Sequence, residues 1–368
     1  MNLFEEQRLV DVCSYLRSGK TITASEISTH GEYPVFGGNG CRGYTTHYNF
    51  SGDCAIIGRQ GAFCGNVRYF TGNAYMTEHA IIACANNKNN TRYLSYLLST
   101  MNLGRLSGQS AQPGLSVKYL SNVKIFIPSL NIQKKIVSVL SLLDDKIKLN
   151  NKINDNLQQQ AFALFEQLLL TADDGECSVA DIAHLNPKRA LAKNQEAKCI
   201  EMSQLSTSGA FPSGWEKRPF NGGMRFSNGD TLLARITPCL ENGKAAFIDF
   251  LDTSEVAFGS TEYIVLAPKG EIPPEFLYCL ARYPVFSDYA VKNMNGSSGR
   301  QRVSAETIGQ FKLPRPSTNE LKRFGNVVSS LFLKMRFNSL ENMRLSSLRD
   351  SLLPKLMSGE LDVSELDI

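Results

Sequence analysis

Pro128-Ser-Leu-Asn-Ile-Gln-Lys-Lys-Ile136 opens one stretch of this chain, and Pro316-Ser-Thr-Asn-Glu-Leu-Lys-Arg-Phe324 opens a similar stretch 188 residues later. Downstream of the first, Ile136, Leu140, Leu143, Ile147, Asn150, Asn154, Leu157, Ala161, Leu164 and Leu168 follow in alternating steps of four and three. That is the a/d spacing of a coiled coil. The same shift of 188 gives Phe324, Val328, Leu331, Met335, Asn338, Asn342, Leu345, Arg349, Leu352 and Leu356, apolar almost wherever the first stripe is. Both stretches predict long helices, and the span Ile136 to Leu168 would measure ~50 Å at ~1.5 Å per residue. If the two helices pack antiparallel, Asn150 and Asn154 meet Asn338 and Asn342 at the centre, where buried amides would fix register. The alternative is a seam that frays there, leaving the amides to water. Arg349 is expected to snorkel out of the stripe, Pro354 to kink or break the second helix, and Gly359 to stop it.

The likeness extends upstream of both helices. Gly108–Ser116 faces Gly296–Ser304 at the same offset. Ser51-Gly-Asp53 resembles Asn228-Gly-Asp230, and Thr77-Glu-His-Ala-Ile-Ile82 resembles Thr261-Glu-Tyr-Ile-Val-Leu266. A period this long means two whole domains rather than a solenoid of short repeats. The expected boundaries are a first domain over 1–128, a first helix over 129–172, a second domain over 173–316, and a second helix with its tail over 317–368. Short strand-like runs (Cys54–Ile57, His79–Ala83, Thr231–Ala234, Tyr263–Leu266) alternate with helical patterns at Thr91–Thr100 and Pro274–Arg282. The fold class predicted is α+β: two similar domains separated and joined by two long antiparallel helices.

Bulk properties bound the function. The chain has 368 residues, 42% of them hydrophobic, and a net charge of +4; the isoelectric point is near 8.5. That permits nucleic-acid binding without demanding it, since a dedicated basic protein exceeds ~9. No apolar run is long enough to span a bilayer, and Glu5 and Glu6 interrupt any signal-peptide core, so a cytoplasmic protein is expected. Nine cysteines, none in a C-x-x-C pair, are expected to be buried free thiols rather than a zinc site.

Apparent catalytic motifs dissolve on inspection. Ser18-Gly-Lys-Thr21 lacks the earlier glycine of a phosphate loop, where Ser14 stands. Phe36-Gly-Gly-Asn-Gly40 has no buried strand before it and no helix after it, and is read as a turn. Asn186-Pro-Lys-Arg189 lacks the second proline and the aromatic residue of an amino-methyltransferase signature. Four histidines without metal spacing and no G-x-S-x-G elbow leave no acid–base set, metal cluster or nucleophile. A binder is expected, with no metal and no cofactor of its own.

The loops do carry nucleic-acid chemistry. Arg42, Tyr44, Arg59, Gln60, Arg68, Tyr69 and Gln109 lie among glycines in the first domain, and Arg218, Arg225, Arg235, Asn242, Lys244, Arg300, Gln301 and Arg302 in the second. Arg and Lys suit phosphates and guanine edges, and Asn and Gln suit adenine.

The chain resembles the specificity (S) subunit of type I restriction–modification systems. The resemblance rests on Ser18-Gly-Lys-Thr21, Tyr33-Pro-Val-Phe-Gly-Gly-Asn-Gly40, Gly43-Tyr44, Ile56-Ile-Gly-Arg59, Gly65-Asn66, Ile127-Pro128 with Gln133, Val256-Ala-Phe-Gly-Ser-Thr-Glu262 and Leu353-Pro-Lys-Leu-Met-Ser-Gly-Glu-Leu361. It departs from the family at Ile132-Gln133 and Glu320-Leu321, where a Glu-Gln pair is common. The resemblance implies two target-recognition domains, each reading half of a split site in double-stranded DNA. It also implies docking of two methyltransferase (M) subunits and, in the full complex, of restriction (R) subunits. S-adenosylmethionine, Mg and ATP would then belong to those partners, along with methylation and cleavage. The helices would act as a ruler between half-sites, since a flexible linker would smear the distance. The competing readings are a tandem scaffold that binds only proteins through its coiled coil, and an enzyme acting on DNA through an unrecognised motif.

Overall fold

Two helices dominate the computed structural model, which describes residues 4–107, 114–297 and 299–366. The first, Leu130–Thr171, has 42 residues, and the second, Thr318–Ser358, has 41. Each is shared between two units, Met1–Asp145 with Ser346–Ile368, and Lys146–Leu345. A unit therefore consists of one lobe, the near part of the helix leaving it, and the far part of the other helix. The α+β class with two long helices, expected from the repeat, is what the chain adopts.

The helix segments run antiparallel within each unit. In the first, Asp144 pairs with Arg349 at 3.0 Å, and Ile136 and Leu140 share a core with Leu356 and Met357. In the second, Asn150 donates to Asn342 and Asn338 donates to Asn154, at 2.9 and 2.8 Å. Asn150 and Asn338 are each only 1% exposed.

Three expectations for the helices need correction. The second helix does not break at Pro354 but runs on to Ser358. The missing N–H costs one bond in the last turn, and burial of Leu356 and Met357 holds that turn in place. Gly359, with φ +77°, ends the helix. Arg349 does not snorkel into water; its guanidinium bonds Asp144 and Asp350. Leu164 is 39% exposed while Phe165, one position on, is 1% exposed. There the helix serves the lobe as well as its partner helix: Phe165 meets Phe276, Tyr283 and Phe324 edge-on. Phe332, also off the stripe, packs on Phe211, Phe247 and Tyr278.

The first lobe is built on a six-stranded sheet in the order Cys13–Ser18, Ala80–Ala85, Phe50–Gly58, Val67–Met76, Tyr33–Gly37, Gly40–Thr45. Neighbours are antiparallel except Tyr33–Gly37 beside Val67–Met76. The helix Thr91–Thr100, capped by the Asn90 side chain on Tyr93 N, buries Leu94, Leu97 and Leu98. In the second lobe, Ala183–Leu185, Tyr263–Pro268, Thr231–Ala234 and Ala245–Phe247 form one sheet in that order. The order repeats that of the first four strands of the first lobe. A second four-stranded sheet, centred on Glu196–Ile200 and Ala257–Gly259, has no forerunner in the sequence reading.

Each lobe is closed at its base by a two-stranded antiparallel ribbon. Phe4–Arg8 pairs with Lys124–Pro128, and Glu176–Ser178 pairs with Lys312–Pro314. In the first unit, Gln133, fully buried at the start of the helix, ties this base together. Its Nε2 donates to Pro128 O and Asn89 Oδ1, each at 2.8 Å, and its Oε1 accepts from Asn90 N at 2.8 Å. The corresponding position in the second unit is buried Leu321.

Candidate nucleic-acid interface

In the first lobe the run Phe36–Gly40 is the tight turn of the hairpin Tyr33–Gly37/Gly40–Thr45. Gly40 has φ +104°, and a Cβ there would run into the Arg68 guanidinium. A Cβ on Gly37 would lie 2.8 Å from Arg42 Cδ. The glycines thus let two arginine side chains lie across the turn. Arg59 and Gln60 follow the strand Phe50–Gly58, and Gln60 Oε1 lies 3.0 Å from His79 Nδ1. Gly38 packs against Arg59 N and the Gln60 and His79 carbonyls, so Arg42, Arg59, Gln60 and Arg68 border one turn. Tyr44 stands apart, opposite Pro34 at the other end of the hairpin. Tyr69 lies beneath the Arg92 guanidinium, 5.2 Å from it. Gln109 lies outside the described residues. Ser18–Thr21 is a packing motif: Gly19 N donates to Ala80 O and Lys20 N to Met76 O, and a Gly19 Cβ would collide with Met76 O.

In the second lobe, the bridges of Ile236 and Asn295 to Arg302 bring Arg235, Arg300, Gln301 and Arg302 together. Thr237 N donates to Gln301 O at 3.1 Å. Lys244 N caps the turn carrying exposed Asn242, and its Nζ donates to Met202 O at 2.8 Å. Arg218 and Arg225 belong to the other sheet. Arg218 is committed to Glu201 and Glu216 at 2.7 and 2.6 Å, and Arg225 stacks on Phe220. Arg302 is forked onto Glu262 with three contacts of 2.7 to 3.0 Å, which hold that carboxyl below the usual range. Charge-assisted forks of this kind are strong, so Arg302 shapes its loop rather than offering a free cation.

By contrast, Arg42, Arg59, Arg68, Arg225, Arg235, Lys244 and Arg300 make no ion pair among the described residues. Arg42, Arg68 and Arg225 lie on strands rather than in the loops expected, the first two beside the hairpin turn; cations without carboxylates are suited to phosphate oxygens and base edges. The sequence reading gave no role to Glu78, His79 and Glu262. Their signal was present in the paired Thr77-Glu78 and Thr261-Glu262, which now stand beside both clusters. All nine cysteines are free, but only Cys54, Cys177, Cys199 and Cys279 are buried as expected, and Cys41 is exposed. Burial pushes the Cys13 thiol up to about 12 and the Cys84 thiol up to about 11, the condition of structural rather than nucleophilic thiols. No helix among the described residues is long and apolar enough to cross a membrane.

A family model described as Type I restriction modification DNA specificity domain matches residues 1–159. Those residues are similar to that specificity-domain family. The resemblance read from the motifs is thereby borne out. The EcoprrI specificity subunit of Escherichia coli is 41% identical over 133 residues, 35% of this chain and 33% of that subunit. The chain thus spans about a third of that relative's length. The HindI specificity subunit of Haemophilus influenzae is 25% identical over 332 residues, 68% of this chain and 71% of that one. A crystal structure of a type-I restriction-modification system S subunit from M. genitalium matches with a TM-score of 0.59 at 20% identity, covering 96% of each chain. The fold likeness therefore continues past the first specificity domain, through both helices and the second lobe.

Proposed function

We propose that this chain is the DNA sequence-recognition subunit of a type I restriction–modification complex, each lobe reading one half of a bipartite site. The observation that carries this reading is the repetition of one design. Two lobes of like sheet order each gather arginines at or beside turns, and each unit holds segments of both long helices packed antiparallel. In this reading the paired helices set the interval between half-sites. Two M subunits dock on the assembly, R subunits join the full complex, and the chain itself is non-catalytic. S-adenosylmethionine, Mg and ATP serve those partners. The complex acts in the cytoplasm, where the DNA is. Methylome sequencing of cells with and without the chain tests this directly. A split methylated-adenine motif should vanish when the chain is absent; an unchanged methylome would overturn the reading in favour of a protein-only scaffold.

A further inference from the structure

One arginine occupies the same place in both lobes. Arg59 follows directly on Phe50–Gly58, and Arg235 follows directly on Thr231–Ala234, the strand with the same position in its sheet. Each is clamped through its main chain from two sides. Arg59 N donates to His79 O at 2.9 Å, and Arg59 O accepts from Leu115 N at 2.8 Å. Arg235 N donates to Glu262 O, and Arg235 O accepts from Val303 N, both at 3.0 Å. The next residue in each case bridges the returning loop, Gln60 to Gly114 and Ile236 to Arg302. Leu115 and Val303, which close the clamps, are 2% and 0% exposed.

The surroundings of the two arginines differ. Gly58 answers to Ala234, Gln60 to Ile236, and His79 to Glu262, so the clamp and its guanidinium are what the lobes share. Among the described residues, neither guanidinium is spent on a carboxylate. Glu262, whose carboxyl feels the Arg235 charge, is taken by Arg302. Arg59 Nη1 makes only a long 3.3 Å contact to Glu78 O, and Arg235 Nε is buried with no acceptor among the described residues. A buried N–H without an acceptor is costly, and an incoming anionic oxygen would relieve that cost.

Two lobes that read different half-sites need different base contacts, yet both meet the same sugar–phosphate backbone. Phosphate contacts set register and carry no sequence information. We propose, building on the DNA-reading role above, that Arg59 and Arg235 are matched phosphate anchors, one per lobe. The differing side chains around them, Arg42, Gln60 and Arg68 in one lobe and Asn242, Lys244 and Arg300 in the other, then carry the sequence reading.

The test uses the full chain with the partners that co-purify with it. Fluorescence anisotropy across a salt series follows binding to a duplex carrying the motif mapped in cells and to a shuffled duplex of equal composition. Arg59→Gln and Arg235→Gln should each weaken binding to both duplexes by the same factor. Each should also flatten the log–log salt slope by about 0.9, the value of one lost phosphate contact. The preference between duplexes should stay unchanged, and Arg59→Lys and Arg235→Lys should keep the slope. A collapsed preference with an unaltered slope would make these residues base readers and overturn the proposal. So would unaltered affinity and slope, or Lys variants that melt like the parent and yet lose the slope. A parent protein with no preference between the duplexes would instead sink the DNA-reading role, while the anchors would still be measurable on either duplex.

Discussion

Asp230 is 1% exposed and accepts from the Arg189 guanidinium at 2.5 and 2.6 Å and from Ser227 N at 2.8 Å. Burial outweighs these partners and pushes its carboxyl up to about 6, against ~3.9 in an unfolded chain. Between these values the folded state binds more protons than the unfolded state. Stability from this group therefore rises as pH falls from about 6 towards about 4. Thermal melts over that range should show the parent gaining on Asp230→Asn as the solution is acidified; parallel curves would contradict the assignment. At this scale the sequence was least informative. It named the arginines but could not sort them, because Glu262, which claims Arg302, is 40 residues away, and Glu201, which joins the nearby Glu216 on Arg218, is 17 residues away. Free and committed cations look alike until the chain is folded. The glycines that let Arg42 and Arg68 lie over a turn read in sequence only as turn formers.

The helices were far more legible, because a stripe of apolar residues at steps of four and three has few other physical meanings. Its central amides meet as their spacing suggested, and the seam adds partners from outside the stripe. Glu341 Oε2 accepts from Asn150 at 2.7 Å, and Ser339 Oγ lies 3.3 Å from Asn154 Nδ2. Asn338→Leu would leave the Asn154 amide facing a methyl group in a half-dry seam, a loss of about 1–3 kcal/mol. The double variant Asn154→Leu/Asn338→Leu should recover most of this, since replacing both partners with apolar groups is nearly neutral. A double-mutant cycle read by thermal melting measures the coupling, and zero coupling would mean the amides do not work as a pair. The stripe failed where the helix stopped answering only to its partner. Phe165 and Phe332 are placed by aromatic rings of the second lobe, which no heptad count contains. By the 188-residue shift, the same positions in the first unit hold Leu353, packed on that unit's core, and Asp144. Asp144 stands where Phe332 does and takes Arg349 and the Tyr96 hydroxyl as partners.

For the whole chain, duplication was readable because it repeats chemistry at a fixed interval, and the two lobes and two helices follow from it. The strand partnerships did not follow. Strands of three to five residues, such as Phe4–Arg8 and Glu176–Ser178, pair with segments more than a hundred residues on, and periodicity carries no record of such partners. If the helices measure the interval between half-sites, trimming both should change it. Residues 147–153 and 339–345 are facing heptads, as the Asn150–Asn342 bond shows. Removing both shortens each helix by ~10.5 Å, close to the rise of about three base pairs at ~3.4 Å each. The gap in the methylated motif should contract accordingly, and an unchanged gap would end the ruler idea. The ribbon at the base of each lobe carries its own corollary. Since a lobe starts and finishes on neighbouring strands, everything between them amounts to one very long excursion from a fixed doorway. If the lobe reads DNA as proposed, exchanging this excursion for another that begins and ends at the same two strands would give a new reader on an old frame.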